Sequence, residues 1–125
     1  MSRETSAATG EKGEERATGY LVSQGCTILA RNWQAHPGEI DIVARCPDQT
    51  LAFVEVRTRH GRTGLAEESI STRKASSMIT AAYAYMRAHG IDPEHTDWRI
   101  DLISIAVQDT RTTLNWIKGA IPDMF

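Results

Sequence analysis

The segment from Gly38 to Arg59 constrains the fold most, because apolar and polar residues alternate along two separate runs within it. Residues 46–50, Cys-Pro-Asp-Gln-Thr, separate the two runs and form a polar cluster with turn chemistry. Alternation with a period of two indicates β-strands, and turn residues between two such runs indicate a hairpin. The pattern therefore predicts two antiparallel strands joined by a turn that is centred on Asp48.

The register of this predicted hairpin follows from the same period of two, because a slip of one residue would turn every side chain to the other face. The uninterrupted apolar sets are Ile40, Ile42 and Ala44 in the first strand and Ala52, Val54 and Val56 in the second. The most compact register that places both sets on one face pairs Asp41 with Glu55. It also pairs Glu39 with Arg57.

The predicted opposition of Asp41 and Glu55 is costly for a purely structural hairpin. Like charges directly across a sheet are destabilising, by roughly 1 kcal/mol in water and by more at the dielectric of a protein. A divalent cation would turn this repulsion into coordination, and Mg²⁺ in phosphate chemistry is usually held by one or two carboxylates and substrate oxygens. The two acids are therefore a candidate metal pair. A solvated strand face, on which acids and bases alternate, is the alternative that the pattern leaves open.

The composition fits a single domain. The chain has 125 residues, of which 41% are hydrophobic and 24% are charged, and this is typical of a globular protein. We expect residues 1–10 to be a disordered tail and residues 11–125 to form one domain. No apolar run approaches the length of a membrane span, and the N-terminus lacks the apolar core of a signal peptide. A cytoplasmic protein without membrane association is therefore expected.

The net charge of −2 does not favour a general affinity for nucleic acid, so any such binding requires a local basic patch. The candidate patch consists of Arg57, Arg59, His60 and Arg62 after the second hairpin strand, with Arg73 and Lys74 at the start of the next helix. A solvated basic loop is the alternative.

The rest of the chain predicts two helices and further strands. The expected elements are a helix over residues 11–24, a strand over 26–33, a long helix over 71–89 that ends at Gly90, a strand over 98–107 and a short edge strand over 114–118. The long helix can serve as a right-handed crossover, so the strand over 98–107 should run parallel to the second hairpin strand. The order predicts an α/β sandwich with a mixed sheet. The apolar residues 121–125 are expected to dock on this chain or on a partner.

Glu14 shares a helical face with Ala17 and Leu21 and therefore points toward the packed side of the first helix. An acid in the first turn favours the helix dipole, and this alone would explain the residue. Glu14 could equally point toward the carboxylates of the hairpin.

Several motifs together resemble the YraN-like family of small bacterial proteins. They are Gly13-Glu14 with Ala17, Arg31-Asn32-Trp33, Gly38-Glu39-Ile40-Asp41, the run from Phe53 to Arg59, Lys74, and Arg99-Ile100-Asp101. The family pattern of GE…A, RN, GEID, FVEVKxR, a helix lysine and RFD covers nearly all of the chain after the tail. This family is similar to the PD-(D/E)xK, restriction-endonuclease-like superfamily, and in style to the archaeal Holliday junction resolvases.

The resemblance implies a restriction-endonuclease-like sandwich, in which helices flank a mixed β-sheet with an α-β-β-β-α-β core. It also implies a metal-dependent endonuclease that hydrolyses DNA phosphodiester bonds, with branched DNA as a candidate substrate and a homodimer expected by analogy. Asp41 and Glu55 would then hold Mg²⁺ or Mn²⁺, and Glu14 would complete the acidic cluster or orient water. Arg57 would contact the scissile phosphate. The residues expected to hold flanking phosphates are Arg59, Arg62 and Lys74.

The sequence departs from the family pattern at Arg57, where the motif has lysine. Arginine stays protonated, so it can hold a phosphate but cannot act as a base. Arg57 could suffice beside a metal-bound water, Lys74 could replace the motif lysine, or the protein could bind nucleic acid without cutting it. A weaker alternative is a structural interaction protein that uses its apolar tail. The dipeptide Pro47-Asp48 is not taken as the motif's "PD", because Asp48 lies at the predicted turn.

Overall fold

The computed structural model describes residues 6–60 and 70–121, with side chains described from residue 12 onward. Its elements are α1 (Ser6–Ser23), β1 (Thr27–Ala35), β2 (Gly38–Arg45), β3 (Leu51–His60), α2 (Thr72–Ala88), β4 (Trp98–Gln108) and β5 (Arg111–Ile117). This order begins with the predicted α-β-β-β-α-β series and adds β5 at its end. The α/β fold class predicted from the sequence is therefore confirmed.

The described strands form one five-stranded sheet in the order β1-β2-β3-β4-β5. β3 and β4 are parallel, as the crossover through α2 requires, and the other neighbouring strands are antiparallel. The sheet is therefore mixed, as expected. β4 is longer than predicted, and β5 begins at Arg111 rather than at residue 114 because its first residues pair with the end of β4.

The hairpin has the predicted register. The observed pairs run from Arg45 with Leu51 to Ile42 with Val54, which is the series that the alternation and the tight turn required. Pairing stops there, one step before the predicted pair of Asp41 with Glu55. Beyond that point β2 pairs only with β1, and β3 pairs only with β4. We call this parting of β2 and β3 the fork.

A helix covers each face of the sheet. Ala17 and Leu21 of α1 pack against one face, in a buried cluster that contains Ile42 and Val54. α2 covers the other face with an apolar stripe. Its buried residues are Ala75, Met78, Ala81, Ala82, Tyr85 and Met86, and they pack in a second cluster that contains Phe53. Because both faces are covered, apolar residues occur on both sides of the central strands.

The facing of β2 differs from the prediction at one position. Ile40 was expected to share a face with Ile42, but Ile40 packs in the cluster with α2 and Ile42 packs in the cluster with α1. The change of face falls at Asp41. The β1–β2 register brings Asn32 opposite Asp41, and Asn32 has a φ of 52°, a left-handed conformation that is uncommon outside glycine. The alternation of the sequence does not reveal this local irregularity.

The helix ends largely follow the sequence signals. Gly25 and Gly90 follow α1 and α2 with φ angles of 88° and 66°, which is the conformation in which glycine ends helices. Ser71 caps α2, and its hydroxyl accepts a hydrogen bond from the backbone N–H of Lys74 at 3.2 Å. α1 begins at Ser6, earlier than the start at residue 11 expected from the sequence. Residues 1–5 lie outside the described part.

Parts of two further predictions also lie outside the described residues. The loop at residues 61–69 includes Arg62, and the apolar tail is described only as far as Ile121. Ile121, the first residue of that tail, packs against the cluster beneath α2. The tail therefore begins by docking on this chain. Neither described helix is long and apolar enough to cross a membrane.

Candidate metal and phosphate site

Asp41 lies at the fork and is held there by the backbone of β3. Its Oδ2 accepts a hydrogen bond from the N–H of Val56 at 2.8 Å. The carboxyl of Glu55 is a hydrogen-bonding neighbour of the Asp41 carboxyl, and only 12% of the Glu55 side chain is exposed. The sequence therefore identified two acids that do meet, although they meet through their side chains at the fork and not as a ladder pair.

The surroundings of Asp41 disfavour its negative charge. Burial is the largest cause, and the hydrogen bond with Glu55 is the next; together they raise the pKa of Asp41 to about 7. The hydrogen bond from Val56 and the charge of Lys74 act in the opposite direction but do not cancel the effect. Two adjacent carboxyl groups in a partly dry site share a proton unless a cation replaces it. The site therefore needs positive charge near neutral pH.

Lys74 supplies one positive charge at this site. Its Nζ lies 3.6 Å from Oε2 of Glu55, and 39% of its side chain is exposed. Lys74 lies in the first turn of α2, after the cap at Ser71. α2 can come this close because residue 38 is glycine: a Cβ at Gly38 would collide with the carbonyl oxygen of Ser77. The glycine of the GEID motif therefore helps to bring α2 and Lys74 close to the fork.

Glu14 lies beside the fork. A Cβ at Gly13 would collide with Oγ1 of Thr58, so the glycine before Glu14 lets α1 approach β3 closely. Oε2 of Glu14 lies 3.6 Å from Nη2 of Arg31, and its carboxyl also bonds to Asn32. Burial is the main reason why the pKa of Glu14 is raised, and the charge of Asp41 contributes to the same shift.

Within the described residues, no three His, Cys, Asp or Glu side chains converge to hold a metal ion. Asp41 and Glu55 form a pair, while Glu14 is engaged by Arg31 and Asn32 at the edge of the site. The structure therefore does not place Glu14 as a third ligand. Two carboxylates are nevertheless a sufficient protein contribution for Mg²⁺, which keeps several waters and commonly binds substrate oxygens. The hard oxygen donors and the unfavourable charge of Asp41 fit such a cation.

The structure describes two of the three arginines that were predicted to contact phosphates. Arg57 and Arg59 follow Glu55 at steps of two along β3, so they lie on the same face of the strand. They pair in register with Ser104 and Ala106 of β4 and are partly buried. Arg62 lies outside the described residues. The described basic residues thus extend along β3 away from the two carboxylates.

Asp48 is not part of the site. It lies exposed in the β2–β3 turn, where its Oδ1 accepts a hydrogen bond from the N–H of Thr50 at 3.0 Å. This bond is the main reason why the pKa of Asp48 is lowered. Asp48 thus lies in the turn, as the sequence predicted when Pro47-Asp48 was set aside as the motif's "PD".

Asp101 has a role that the sequence did not reveal. It is fully buried, and its carboxylate accepts hydrogen bonds from Nε of Arg99 and Nε1 of Trp116, both at 2.9 Å. The backbone N–H of Gly119 donates a further bond at 2.9 Å. These bonds join β4 to the end of β5. The Arg99-Ile100-Asp101 motif therefore stabilises the fold, and only the three-dimensional structure brings Trp116 and Gly119 to it.

Comparisons with known proteins identify relatives. A model of the "Uncharacterised protein family UPF0102" matches residues 13–105. A UPF0102 protein of Chloroflexus aurantiacus is 47% identical over 102 residues, which are 82% of either chain. One from Roseiflexus castenholzii is 48% identical over 99 residues, 78% of either chain. One from Stutzerimonas stutzeri is 38% identical over 116 residues, 92% of this chain and 95% of the relative.

Among solved structures, SfsA of Pyrococcus furiosus in complex with Ca²⁺ has a TM-score of 0.40 and 14% sequence identity. The match covers 91% of this chain and 64% of the SfsA chain. A similarity this distant supports no conclusion about activity.

Proposed function

We propose that this chain, which belongs to the uncharacterised protein family UPF0102, is a metal-dependent endonuclease that hydrolyses DNA phosphodiester bonds. One observation carries the proposal: the adjacent carboxyl groups of Asp41 and Glu55 lie at the fork, with Nζ of Lys74 3.6 Å from Glu55. Two acids and an amine beside one another are a combination that phosphodiester hydrolysis uses. Membership of the PD-(D/E)xK superfamily is part of the proposal. It is supported by the motif resemblance and by the α-β-β-β-α-β order.

The two acids would hold Mg²⁺ or Mn²⁺. When bound, such a cation polarises a phosphoryl oxygen and lowers the pKa of a bound water. The Val56 N–H orients Asp41 for this through Oδ2, and a cation would take the place of the proton that links Asp41 and Glu55. Partial burial of Glu55 keeps competing water away from one side of the pair. The contribution of this chain is therefore a preformed, partly dry carboxylate pair.

Lys74 is the best candidate for the role of the motif lysine. Arg57 occupies the motif position, but a guanidinium remains protonated and cannot accept a proton. The ammonium of Lys74 reaches Glu55 from α2 instead. There it can hold a phosphate oxygen or position the attacking water. Arg57 would then contact the scissile phosphate, while Arg59 and Arg62 would contact flanking phosphates as charged donors.

Branched DNA is the proposed substrate form, by analogy with the resolvases that the motifs resemble. Such enzymes cut two equivalent strands, and a twofold-symmetric homodimer matches that task. The dimer and the branched substrate are proposals that rest on this analogy.

A second candidate is a nucleic-acid-binding module that kept the nuclease fold without the activity. Arg57 in place of lysine and the net charge of −2 favour this candidate. It differs from the first in its requirements: DNA binding would not need the cation, and no cut would form. The same assay distinguishes the two.

The experiment compares the wild type with Asp41→Asn and Glu55→Gln on a four-way junction, a linear duplex and single-stranded DNA. Each substrate is incubated with Mg²⁺, with Mn²⁺ or with a chelator. Glu39→Gln is the matched control, because Glu39 is an exposed acid on the same strand. We expect cation-dependent cutting by the wild type and Glu39→Gln alone. Binding without cutting under every condition would overturn the nuclease proposal in favour of the second candidate.

A further inference from the structure

Cys26 and Cys46 face each other at the end of β2 that is remote from Asp41. The β1–β2 register pairs Thr27 with Arg45, and one further step brings the two cysteines opposite each other. The N–H of Cys26 donates to the carbonyl of Leu21, and the N–H of Cys46 donates to that of Thr50. The cysteines therefore do not exchange backbone hydrogen bonds. Such cross-strand pairs have Cα atoms about 4.5 Å apart, within the range that a disulfide spans.

The two thiols are also in contact. Cys46 is a side-chain hydrogen-bonding neighbour of Cys26, and both cysteines are free and buried. Neither belongs to the site at the fork, so the proposed nuclease chemistry leaves both unused. Their position predicts that a disulfide could form with little movement of the backbone.

A cavity gives access to one of the two sulfurs. It has a volume of about 240 Å³ and is lined by Gln24, Cys46, Pro47, Asp48, Arg99, Trp116 and Lys118. Nη2 of Arg99 contacts Sγ of Cys46 at 3.5 Å, and Nζ of Lys118 lies 4.4 Å from the centre of the Trp116 ring. Cys46 therefore faces a cavity with two cationic groups. Cys26 does not line this cavity.

We propose that Cys46 and Cys26 form a thiol–disulfide exchange site for a small anionic disulfide. The Cys46 thiolate attacks one sulfur of the small disulfide, a mixed disulfide forms, and one small thiolate leaves and takes up a proton. The sulfur of Cys26 then attacks Cys46, loses its proton to water and expels the second small thiol. The two cysteines are oxidised by two electrons in total, and the small disulfide is reduced to two thiols.

The order of attack follows from the surroundings of each sulfur. Cys46 lines the cavity, and Nη2 of Arg99 lies 3.5 Å from its sulfur, so a disulfide that enters the cavity meets Cys46 first. Burial is the main cause that raises the pKa of the Cys26 thiol to about 11, so Cys26 is a poor first nucleophile. Its contact with Cys46 instead suits an intramolecular second step, in which proximity offsets low reactivity.

The cavity also accounts for the charge of the proposed partner. Lys118 and Arg99 both line it, Lys118 exposed and Arg99 half-buried. Asp48 is the acid among the lining residues, and it is exposed in the turn with its Oδ1 bonded to Thr50. Because Arg99 is paired with the buried Asp101, Lys118 is the cation that the carboxylates of a small disulfide would meet beside Cys46. A cationic disulfide would gain nothing from it.

The experiment uses the reduced full-length protein with glutathione disulfide as the anionic probe and cystamine as the cationic probe. Intact mass spectrometry follows the products. We expect the wild type to lose two hydrogens and Cys26→Ser to stop as a single adduct on Cys46. Cys46→Ser should remain unmodified on the same timescale. Lys118→Gln should slow the reaction with glutathione disulfide by at least about threefold, and the reaction with cystamine should be as fast as in the wild type or faster.

The same reactions in urea provide the reference for unfolded thiols. A wild type that reacts only in urea would overturn the proposal. An adduct that forms first on Cys26 would also overturn it, and so would equal slowing of both probes by Lys118→Gln. Because the exchange is measured without DNA or a divalent cation, its outcome is independent of the proposed nuclease activity.

Discussion

Oδ2 of Asp41 accepts a hydrogen bond from the N–H of Val56 at 2.8 Å, at the point where β2 and β3 cease to pair. The bond crosses the fork and connects the two strands through a side chain. It also fixes the direction of the carboxyl group that Glu55 contacts. The position of Asp41 is therefore set by the backbone of β3, and a partly buried acid remains there at a cost to stability.

The first prediction concerns Asp41→Asn. Asparagine can still accept the bond from Val56, but it removes the charge that burial and Glu55 disfavour. We expect the variant to be more stable than the wild type by about 1–3 kcal/mol at pH 8 in a chelator, and to lose cleavage. Urea unfolding measures the stability. Glu39→Gln, an exposed change on the same strand, should stay within about 0.5 kcal/mol of the wild type. A less stable Asp41→Asn would contradict the assignment.

The second prediction is the pH dependence of that difference. The pKa of Asp41 is raised to about 7 in the folded protein, whereas it is near 3.9 in an unfolded chain. Between these values the folded state holds more protons, so the free energy of unfolding falls as the pH rises. The stability advantage of Asp41→Asn should therefore grow from about pH 4 to about pH 7 and then level off. A difference that is constant over this interval would show that the Asp41 charge is not disfavoured.

The sequence predicted much of this arrangement. Strict alternation and a compact turn fixed the hairpin register, because a one-residue slip would have placed Ile42 and Val54 on opposite faces of the sheet. The same alternation could not predict where pairing ends, because beyond the fork β2 stays paired with β1 and β3 stays paired with β4. It also missed the change of face at Ile40, which coincides with the left-handed backbone of Asn32. The local pattern of residues predicts each strand, but the point at which β2 and β3 part depends on the whole sheet.

Among the site residues, too, some could be predicted from the local sequence and others depend on tertiary packing. Asp41 and Glu55 were found because their hairpin register is local. Lys74 could be named from the chain, but its contact with Glu55 depends on how α2 packs. The hydrogen bonds that Asp101 accepts from Arg99, Trp116 and Gly119 form what we call the clamp. The clamp could not be predicted, because Trp116 and Gly119 are brought to Asp101 by the β4–β5 pairing.

The third prediction distinguishes Lys74 from Arg57. If Lys74 takes the lysine's role, Lys74→Met should reduce the cleavage rate by about 100-fold or more. Arg57→Lys should retain most of the rate because it keeps a cation on β3. Arg87→Met is the matched control, since Arg87 is an exposed cation in the last turn of the same helix, and it should stay within about threefold. Single-turnover cleavage at saturating DNA is the measurement. Equal losses for Lys74→Met and Arg87→Met would remove Lys74 from the site.

The fourth prediction concerns the approach of α2. A Cβ at Gly38 would collide with the carbonyl oxygen of Ser77, so Gly38→Ala should cost about 1–3 kcal/mol and displace α2. Gly19→Ala is the control: it also adds a methyl group, but at a helical position where nothing lies within 4 Å apart from its chain neighbours and the backbone of its own helix. That change should stabilise the protein by up to about 1 kcal/mol. Thermal unfolding compares both variants, and a neutral Gly38→Ala would disprove the close contact.

The fifth prediction tests the clamp at Asp101. Removing its carboxylate leaves Arg99 partly buried without its partner and leaves two N–H donors unpaired. Asp101→Ala should therefore lose about 3–5 kcal/mol of stability. Asp92→Ala removes an exposed acid that bonds to His95 and Glu94, and its effect on stability should be much smaller than that of Asp101→Ala. Similar losses in chemical denaturation would show that the buried clamp contributes no more than a surface pair.

Titration calorimetry with Mn²⁺ tests the central claim most directly, because it measures the proposed cation pair without a substrate. The wild type and Glu39→Gln should bind the cation with equal affinity. Asp41→Asn and Glu55→Gln should bind it at least about tenfold more weakly, a loss of about 1.4 kcal/mol or more. Wild-type affinity should also rise with pH up to about pH 7, as Asp41 releases its proton. No binding by the wild type, or equal binding by all four proteins, would contradict the claim that Asp41 and Glu55 hold a divalent cation.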